Sequence, residues 1–233
     1  HTNSTSGFFN FLYQTIRKRT TEKKCKLIKT LITEGFLLDI GCGTGEFLHT
    51  CKKAGYNVKG IEPVETARVQ AINNYKLKIS AQTDLNQFGK NEFDIITMWH
   101  VLEHVTDINS YLKKIHKILK PKGKIVVAVP NHKSWDAEHY GPYWAAWDVP
   151  IHISHFSQDT IKRFFKKFGY SHYKTKPMHY DSFYVSILSD EYLNGRKNYI
   201  KSFLVGLISN IYALFSKKGY SSQIYIFEKT KHE

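Results

Sequence analysis

The feature that most constrains the fold is a mostly apolar segment followed at once by three glycines at alternate positions. The segment spans residues 36–40 and has β character; the glycines are Gly41, Gly43 and Gly45, and an amphipathic helical pattern follows. Glycine allows left-handed backbone angles and close approach to a ligand because it has no Cβ. A helix that begins there also directs its unpaired N–H groups toward the turn. The order of strand, tight turn and helix predicts a nucleotide-cofactor site.

The residues around the glycines indicate which cofactor this site takes. In the dinucleotide fingerprint G-x-G-x-x-G, a third glycine would stand where this chain has Glu46. A carboxylate at the start of a helix would repel a pyrophosphate bound at that helix end. Asp39, two residues before the first glycine, also suits a cationic ligand better than an anionic one. S-adenosylmethionine carries a sulfonium and an ammonium and no phosphate, so we expect it rather than NAD.

With these residues the turn resembles motif I of the class I S-adenosylmethionine-dependent methyltransferases. The resemblance implies that Asp39, Gly41, Cys42 and Gly43 lie against the cofactor. At Cys42 we expect only a small residue that fits the turn.

Composition limits the class of protein. A chain of 233 residues with 42% hydrophobic and 15% aromatic residues is long enough for one packed α/β domain with an appended lid. No apolar stretch reaches the roughly 18 residues that span a bilayer, and we expect no signal peptide. The polar start, residues 1–7, is left out of the fold prediction. Three cysteines without a C-x-x-C pair favour a reducing cytoplasm.

The net charge of +14 admits two interpretations. Such a field attracts nucleic acid, anionic lipid head groups or acidic substrates. The charge is nearly all lysine, however, and the lysines are spread along the whole chain without an RNA-binding motif. A compositional bias explains that pattern better than a nucleic-acid partner does, so nucleic acid is not the partner we expect.

Strands alternate with helices of ten or more residues, which predicts βαβ units and a parallel sheet with right-handed crossovers. We predict strands at 36–40, 57–61, 77–80, 93–98, 124–129, 170–178 and 223–228. We predict one or two helices within 8–31, then helices at 45–54, 64–74, 107–119 and 158–168, and a helical insertion around 184–218. Residues 1–35 are predicted to form a helical cap and residues 36–233 the cofactor domain. Periodicity fails between residues 131 and 156.

Polar residues that end predicted strands are the candidates for cofactor binding, because ligands of open parallel sheets bind at the carboxyl ends of the strands. Glu62, followed by Pro63, ends the second strand, and its carboxylate can accept both hydroxyls of a ribose. Asp84 follows the third strand and could take the adenine amino group while Leu85 packs on the ring.

Three longer blocks resemble one bacterial subgroup of class I methyltransferases, beside the ubiquinone-biosynthesis O-methyltransferases. The blocks are Phe93–Val105 (FDIITMWHVLEHV), Ile118–Gly123 with Val129–Asn131, and Trp147–Ser157. The resemblance covers about residues 36–168. It implies a Rossmann-like, doubly wound α/β sheet of seven strands in the order 3-2-1-4-5-7-6, with the last strand antiparallel. It also implies that Trp99 and His100 pass the methionine end of the cofactor.

Methyl transfer needs alignment of a nucleophile with the S–CH3 bond, and a base only when the acceptor carries a proton. His152 and His155 lie in an aromatic loop with Asp148, so one histidine oriented by Asp148 is the candidate base; a purely structural role stays open. His104 is expected to pack or cap a helix. Two histidines, one aspartate and the irregular backbone at Pro150 make a poor ligand set, so we predict no metal.

Two further features bear on the acceptor. The chain has Thr97-Met98-Trp99-His100 where enzymes that methylate exocyclic base nitrogens carry D/N-P-P-Y/F/W, which argues against DNA or RNA bases. The apolar stretch at residues 203–215, with lysines at both ends, could lie on an anionic bilayer, cover a lipid-like substrate or simply pack on its own domain.

The sequence therefore predicts a cytoplasmic enzyme that methylates a small-molecule or lipid-linked acceptor, with oxygen as the expected acceptor atom. Peripheral association with a membrane surface stays open. An RNA or protein methyltransferase with the same cofactor site and a non-catalytic cofactor-binding protein are the alternatives. A dehydrogenase is disfavoured by Glu46.

Overall fold

The computed structural model describes residues 7–230, with side chains described from Lys18 onward. The first six residues of the predicted cap and the last three of the predicted cofactor domain lie outside this part. The division at residue 35 stays a prediction.

Seven strands and eight α-helices make up the described chain. The strands are β1 Phe36–Ile40, β2 Asn57–Ile61, β3 Ile79–Ser80, β4 Phe93–Trp99, β5 Leu119–Pro130, β6 Tyr170–Pro177 and β7 Ser222–Lys229. The helices are α1 Gly7–Lys29, α2 Glu46–Lys53, α3 Glu65–Tyr75, α4 Ile108–Ile118, α5 Trp135–Tyr140, α6 Gln158–Lys167, α7 Asp181–Asn194 and α8 Tyr199–Phe215.

The strands form one sheet in the order β3-β2-β1-β4-β5-β7-β6. The pairs among β1 to β5 are parallel, and β7 runs antiparallel to both β5 and β6. The predicted strand order and the antiparallel last strand are confirmed. The order reverses between β1 and β4, so the carboxyl ends of these two central strands flank the crevice where ligands of such sheets bind.

The core lies on both faces of the sheet. Adjacent residues of the central strands enter different hydrophobic clusters: Leu37 and Ile95 on one face, Leu38 and Ile96 on the other. Helices α1, α2 and α3 contribute to the first cluster, and α4 and α6 to the second. Strands that are buried on both faces have largely apolar sequences instead of alternating ones, and the central strands follow this pattern. Truncating Ile96 to alanine would cost about 2–5 kcal/mol of stability.

Strand β3 is shorter than predicted, and α5 lies in a segment for which no element is predicted. Two further departures have a direct structural reason. Strand β5 was expected from residue 124 but begins at Leu119, because Leu119 pairs with Phe93 before the chain bulges and Lys124 pairs with Ile95. The predicted insertion is a pair of helices, α7 and α8, because Gly195 ends α7 in the left-handed conformation at φ 68°.

Candidate cofactor and acceptor site

The glycine turn between β1 and α2 is fixed to the end of β2. The N–H groups of Gly41 and Cys42 both donate to the carbonyl of Ile61, at 2.8 and 3.0 Å. All three glycines have left-handed φ angles, between 55° and 84°. A Cβ on Gly41 would lie 2.5 Å from Val101, whereas one on Gly43 would have nothing within 4 Å. The turn is therefore packed on its protein side and open above Gly43.

Glu62 closes this turn from the end of β2. Its Oε2 accepts from the N–H of Gly43 at 2.7 Å, and its Oε1 accepts from the N–H of Val64 at 2.9 Å. The side chain is buried, and each carboxylate oxygen keeps a second lone pair for a ligand hydroxyl. Pro63 is exposed beside it, and its carbonyl accepts from Arg68.

Asp39, at the end of β1, is a buried carboxylate. Thr97 on the neighbouring strand donates to its Oδ1 at 2.6 Å. Burial raises the pKa of Asp39 to about 7, against the opposing effects of the Thr97 hydrogen bond and the charge of Lys24. The group therefore titrates near neutrality. Cys42 beside it is a buried free thiol whose pKa is raised by burial, which suits a space-filling residue.

Trp99 is buried at the end of β4, with Phe47 edge-on to its ring at 5.4 Å between centroids. Lys24 of α1 also lies over the Trp99 ring, with its Nζ 4.3 Å from the ring centroid. Burial lowers the pKa of Lys24, while Asp39 and Asp181 favour its charged form. Lys24 was missed by the sequence analysis, because only tertiary packing brings α1 to this place.

His100 takes a positive φ of 57° and bridges two carboxylates. Its Nδ1 is 3.3 Å from Glu103 Oε1, and its Nε2 is 3.0 Å from Asp181 Oδ2 at the start of α7. Burial lowers the pKa of His100, but the hydrogen bonds and charges of Asp181 and Glu103 outweigh it and raise the pKa to about 10. His100 is thus an imidazolium that attaches α7 to the turn after β4.

Asp84 and Leu85 are engaged by the protein itself. Asp84 is exposed, accepts from the N–H of Asn86 and pairs with Lys114 at 3.0 Å; the Asn86 and Lys114 contacts lower its pKa. Leu85 is fully buried in the core. A role of either residue toward adenine stays a prediction.

The three predicted catalytic residues lie on a loop that docks on the turn after β4. The N–H groups of Ile153 and Ser154 both donate to the carbonyl of Glu103. His152 Nδ1 is 2.8 Å from the Ala146 carbonyl, and its Nε2 is 4.0 Å from Asp148 Oδ2, too far for a hydrogen bond.

His155 approaches the same small cavity as His152 from the other end of the loop. Its Nε2 is 2.9 Å from the carbonyl of Trp147. Glu103 and His132 also line this cavity, and neither is among the site residues predicted from the sequence. His132 lies two residues after the end of β5, a position that could have singled it out. The catalytic roles of Asp148, His152 and His155 stay predictions.

A buried carboxylate joins helix α8 to the segment that precedes this loop. Asp136 of α5 accepts from Trp144 Nε1 at 2.8 Å, Ser209 Oγ at 2.7 Å and Ser221 Oγ at 2.6 Å. The outer side of α8 is apolar and exposed, with Ile200 at 79% and Phe215 at 89%. Among residues 7–230, no helix has the length and apolar character to cross a membrane.

A family model described as a methyltransferase domain matches residues 13–174. The ubiquinone biosynthesis O-methyltransferase of Bartonella tribocorum is 36% identical over 122 residues, 49% of this chain and 45% of that protein. The protein of the same name from Pelagibacter ubique is 34% identical over 119 residues, 48% of this chain and 46% of that protein. This chain thus spans about half the length of the curated relatives it matches.

Two solved structures share the fold at low identity. A S-adenosylmethionine-dependent methyltransferase from Archaeoglobus fulgidus is 18% identical, with a TM-score of 0.61, covering 96% of this chain and 100% of that one. The magnesium protoporphyrin IX methyltransferase of Synechocystis PCC 6803, solved with bound S-adenosylhomocysteine, is 14% identical, with a TM-score of 0.62, covering 98% of this chain and 90% of that one.

Proposed function

The chain belongs to the methyltransferase domain family, and from this premise we propose that it transfers the methyl group of S-adenosylmethionine to an oxygen of a small, lipid-like acceptor. The observation that carries the proposal is the glycine turn, which is open above Gly43, is closed by the buried carboxylate of Glu62 and has the buried carboxylate of Asp39 beside it. A cationic cofactor without phosphate fits such a site, whereas a pyrophosphate bound at the start of α2 would be repelled by Glu46 and by ionised Asp39.

In this proposal the cofactor supplies an already activated methyl group, and the protein binds, orients and excludes water. Glu62 accepts the ribose hydroxyls and Asp39 faces the positive charge of the cofactor. The acceptor hydroxyl loses its proton to His152 or His155. His100 is held as an imidazolium between two carboxylates, so it positions α7 rather than taking a proton.

Oxygen as the acceptor atom is favoured by the names of the curated relatives, which are O-methyltransferases of ubiquinone biosynthesis. A lipid-like acceptor is favoured by the α8 surface, defined as the exposed apolar side chains Ile200, Phe203, Leu204, Ile208, Ile211, Leu214 and Phe215. Arg196, Lys197, Lys217 and Lys218 lie at the two ends of this helix. An apolar face between basic ends complements an anionic bilayer, so we propose that the acceptor is reached at such a membrane.

The first test is calorimetric titration with S-adenosylhomocysteine, with NAD as control. We expect micromolar binding of the former and none of the latter. Transfer of labelled methyl groups is then measured with hydroxylated aromatic compounds that differ only in an isoprenoid tail. Methylation that prefers the tailed compounds supports the proposal. Cofactor binding with transfer only to amines would overturn the choice of oxygen.

A second test addresses the α8 surface. Wild type is expected to float with vesicles of phosphatidylglycerol and much less with vesicles of phosphatidylcholine. Phe215→Glu should abolish flotation, while Val69→Glu, on the exposed side of α3, serves as the matched control. Equal flotation of both variants would contradict the membrane part of the proposal and leave the cofactor assignment unaffected.

The charge of +14 keeps an RNA methyltransferase as the second candidate. RNA binding that weakens steeply with salt yet persists at physiological ionic strength would favour it. Binding lost by about 0.15 M salt would count against it.

A further inference from the structure

Three metal-ligating side chains converge from two distant segments of the chain. Glu103 and His104 lie in the turn after β4, and His152 lies in the loop that docks on this turn. One ligand atom from each residue lies within 4.8 Å of the other two. The rings of His104 and His152 are 4.8 Å apart between centroids. The sequence alone predicts no metal, because only two histidines and one aspartate stand together in the loop.

The carboxylate in this cluster lacks a partner on one oxygen. Glu103 is 1% exposed, and its Oε1 is 3.3 Å from His100 Nδ1. Its Oε2 is buried with no hydrogen-bond partner among the described residues. A buried carboxylate oxygen without a partner is costly, and a bound cation removes that cost. This observation is independent of the convergence itself and indicates a positively charged ligand.

Both histidines are oriented as metal ligands are. His104 Nδ1 is 3.1 Å from the Ile151 carbonyl, and His152 Nδ1 is 2.8 Å from the Ala146 carbonyl. A carbonyl only accepts, so each Nδ1 carries the proton and each Nε2 offers its lone pair. Histidine ligands in metalloproteins commonly donate their second N–H to a carbonyl or carboxylate in this way, which fixes the tautomer.

We propose that Glu103, His104 and His152 bind a divalent transition metal of the zinc type. Two imidazole nitrogens and one carboxylate suit Zn²⁺, whereas Mg²⁺ prefers a shell of oxygens. Three protein ligands leave a coordination position for water or a small oxygen ligand. The metal would hold the loop of His152 against the turn after β4. With His152 as a ligand, proton transfer in the proposed reaction falls to His155.

The inference does not depend on methyl transfer and is tested without it. Tag-free protein is treated with a chelator, dialysed, and titrated with Zn²⁺ in competition with a chromophoric chelator. We expect one equivalent per chain, a higher melting temperature with the metal, and visible d–d absorption when Co²⁺ replaces Zn²⁺. His104→Ala and His152→Ala should each weaken binding by about 100-fold or more, at or beyond the loss seen when supporting residues are removed.

Two further variants keep the test decisive. Glu103→Gln preserves the shape of the buried side chain and removes its charge, so it should fold and lose Zn²⁺. His139→Ala removes an exposed histidine of the same region that lies outside the cluster, and it should bind as wild type does. A wild type that binds no stoichiometric Zn²⁺, or binding that survives both His104→Ala and His152→Ala, would overturn the proposal.

Discussion

The two halves of the candidate site are built by different means. In the cofactor half, residues 36–99, backbone N–H groups of one turn bond to a neighbouring strand end, and the carboxylate of Glu62 bonds to the same turn. In the acceptor half, residues 131–221, side chains hold together pieces that are far apart in the chain. Asp136 accepts from Ser209 and Ser221, which are 73 and 85 residues away. The first half depends on local backbone geometry, the second on a few buried polar contacts.

The largest expected effect tests whether the halves are separable. Asp136→Ala leaves three buried donors without their acceptor, so we expect the free energy of unfolding to fall by about 3 kcal/mol. Because the cofactor half has its own hydrogen bonds, affinity for S-adenosylhomocysteine should change by less than about twofold. Urea unfolding and calorimetry give the two values.

Asp159→Ala is the matched control, because Asp159 is exposed in the first turn of α6. This substitution should lower the free energy of unfolding by less than about 1 kcal/mol. Loss of cofactor binding in folded Asp136→Ala would mean that the halves are one unit.

The next effect is confined to the cofactor half. Glu62→Ala removes the carboxylate that we assign to the ribose, and two charge-assisted hydrogen bonds are lost. Affinity for S-adenosylhomocysteine should fall by about 100-fold, or roughly 2.7 kcal/mol. Glu65→Ala, three residues later and exposed at the start of α3, should bind like wild type. Equal affinities in the two variants would remove Glu62 from the cofactor site.

A pair of glycines compares the halves directly. Gly43 and Gly195 have left-handed φ angles of 55° and 68°, and a Cβ on either would meet nothing within 4 Å. Alanine therefore adds similar backbone strain, roughly 1–2 kcal/mol, at both positions. Only Gly43→Ala should also weaken cofactor binding, by about tenfold or more, because its Cβ projects into the space above the turn. Similar affinities for both variants would mean that this space is not the cofactor site.

The same contrast explains what the sequence could predict. The bounds of β1 and β2 agree with prediction, because a buried strand that ends in a glycine turn is specified within a few residues. The irregular region at 131–156 hides α5, which has six residues, too few for a helical period to be recognised. Glu103 stood in the quoted motif, but its unpaired oxygen and its histidine neighbours appear only when the loop folds onto it.

The last expected effect is a pH dependence that belongs to one residue of the cofactor half. Burial raises the pKa of Asp39 to about 7, so the carboxyl is mostly protonated below that pH. The folded state then keeps a proton that the unfolded chain releases, and the stability of the free protein falls as pH rises from about 4 to 7.

Cofactor binding should change with pH in the opposite direction. A cationic cofactor favours ionised Asp39, so the affinity for S-adenosylmethionine should rise about tenfold between pH 6 and pH 8, with release of a proton at pH 6–7. Calorimetry in two buffers of different ionisation enthalpy measures both quantities. Asp39→Asn separates this effect from histidines that titrate in the same range: its affinity should be weak and nearly independent of pH. If the affinity of Asp39→Asn changes with pH as the wild-type affinity does, the titration belongs to another group. Glu62 would then account for the preference of the cofactor half for a cation.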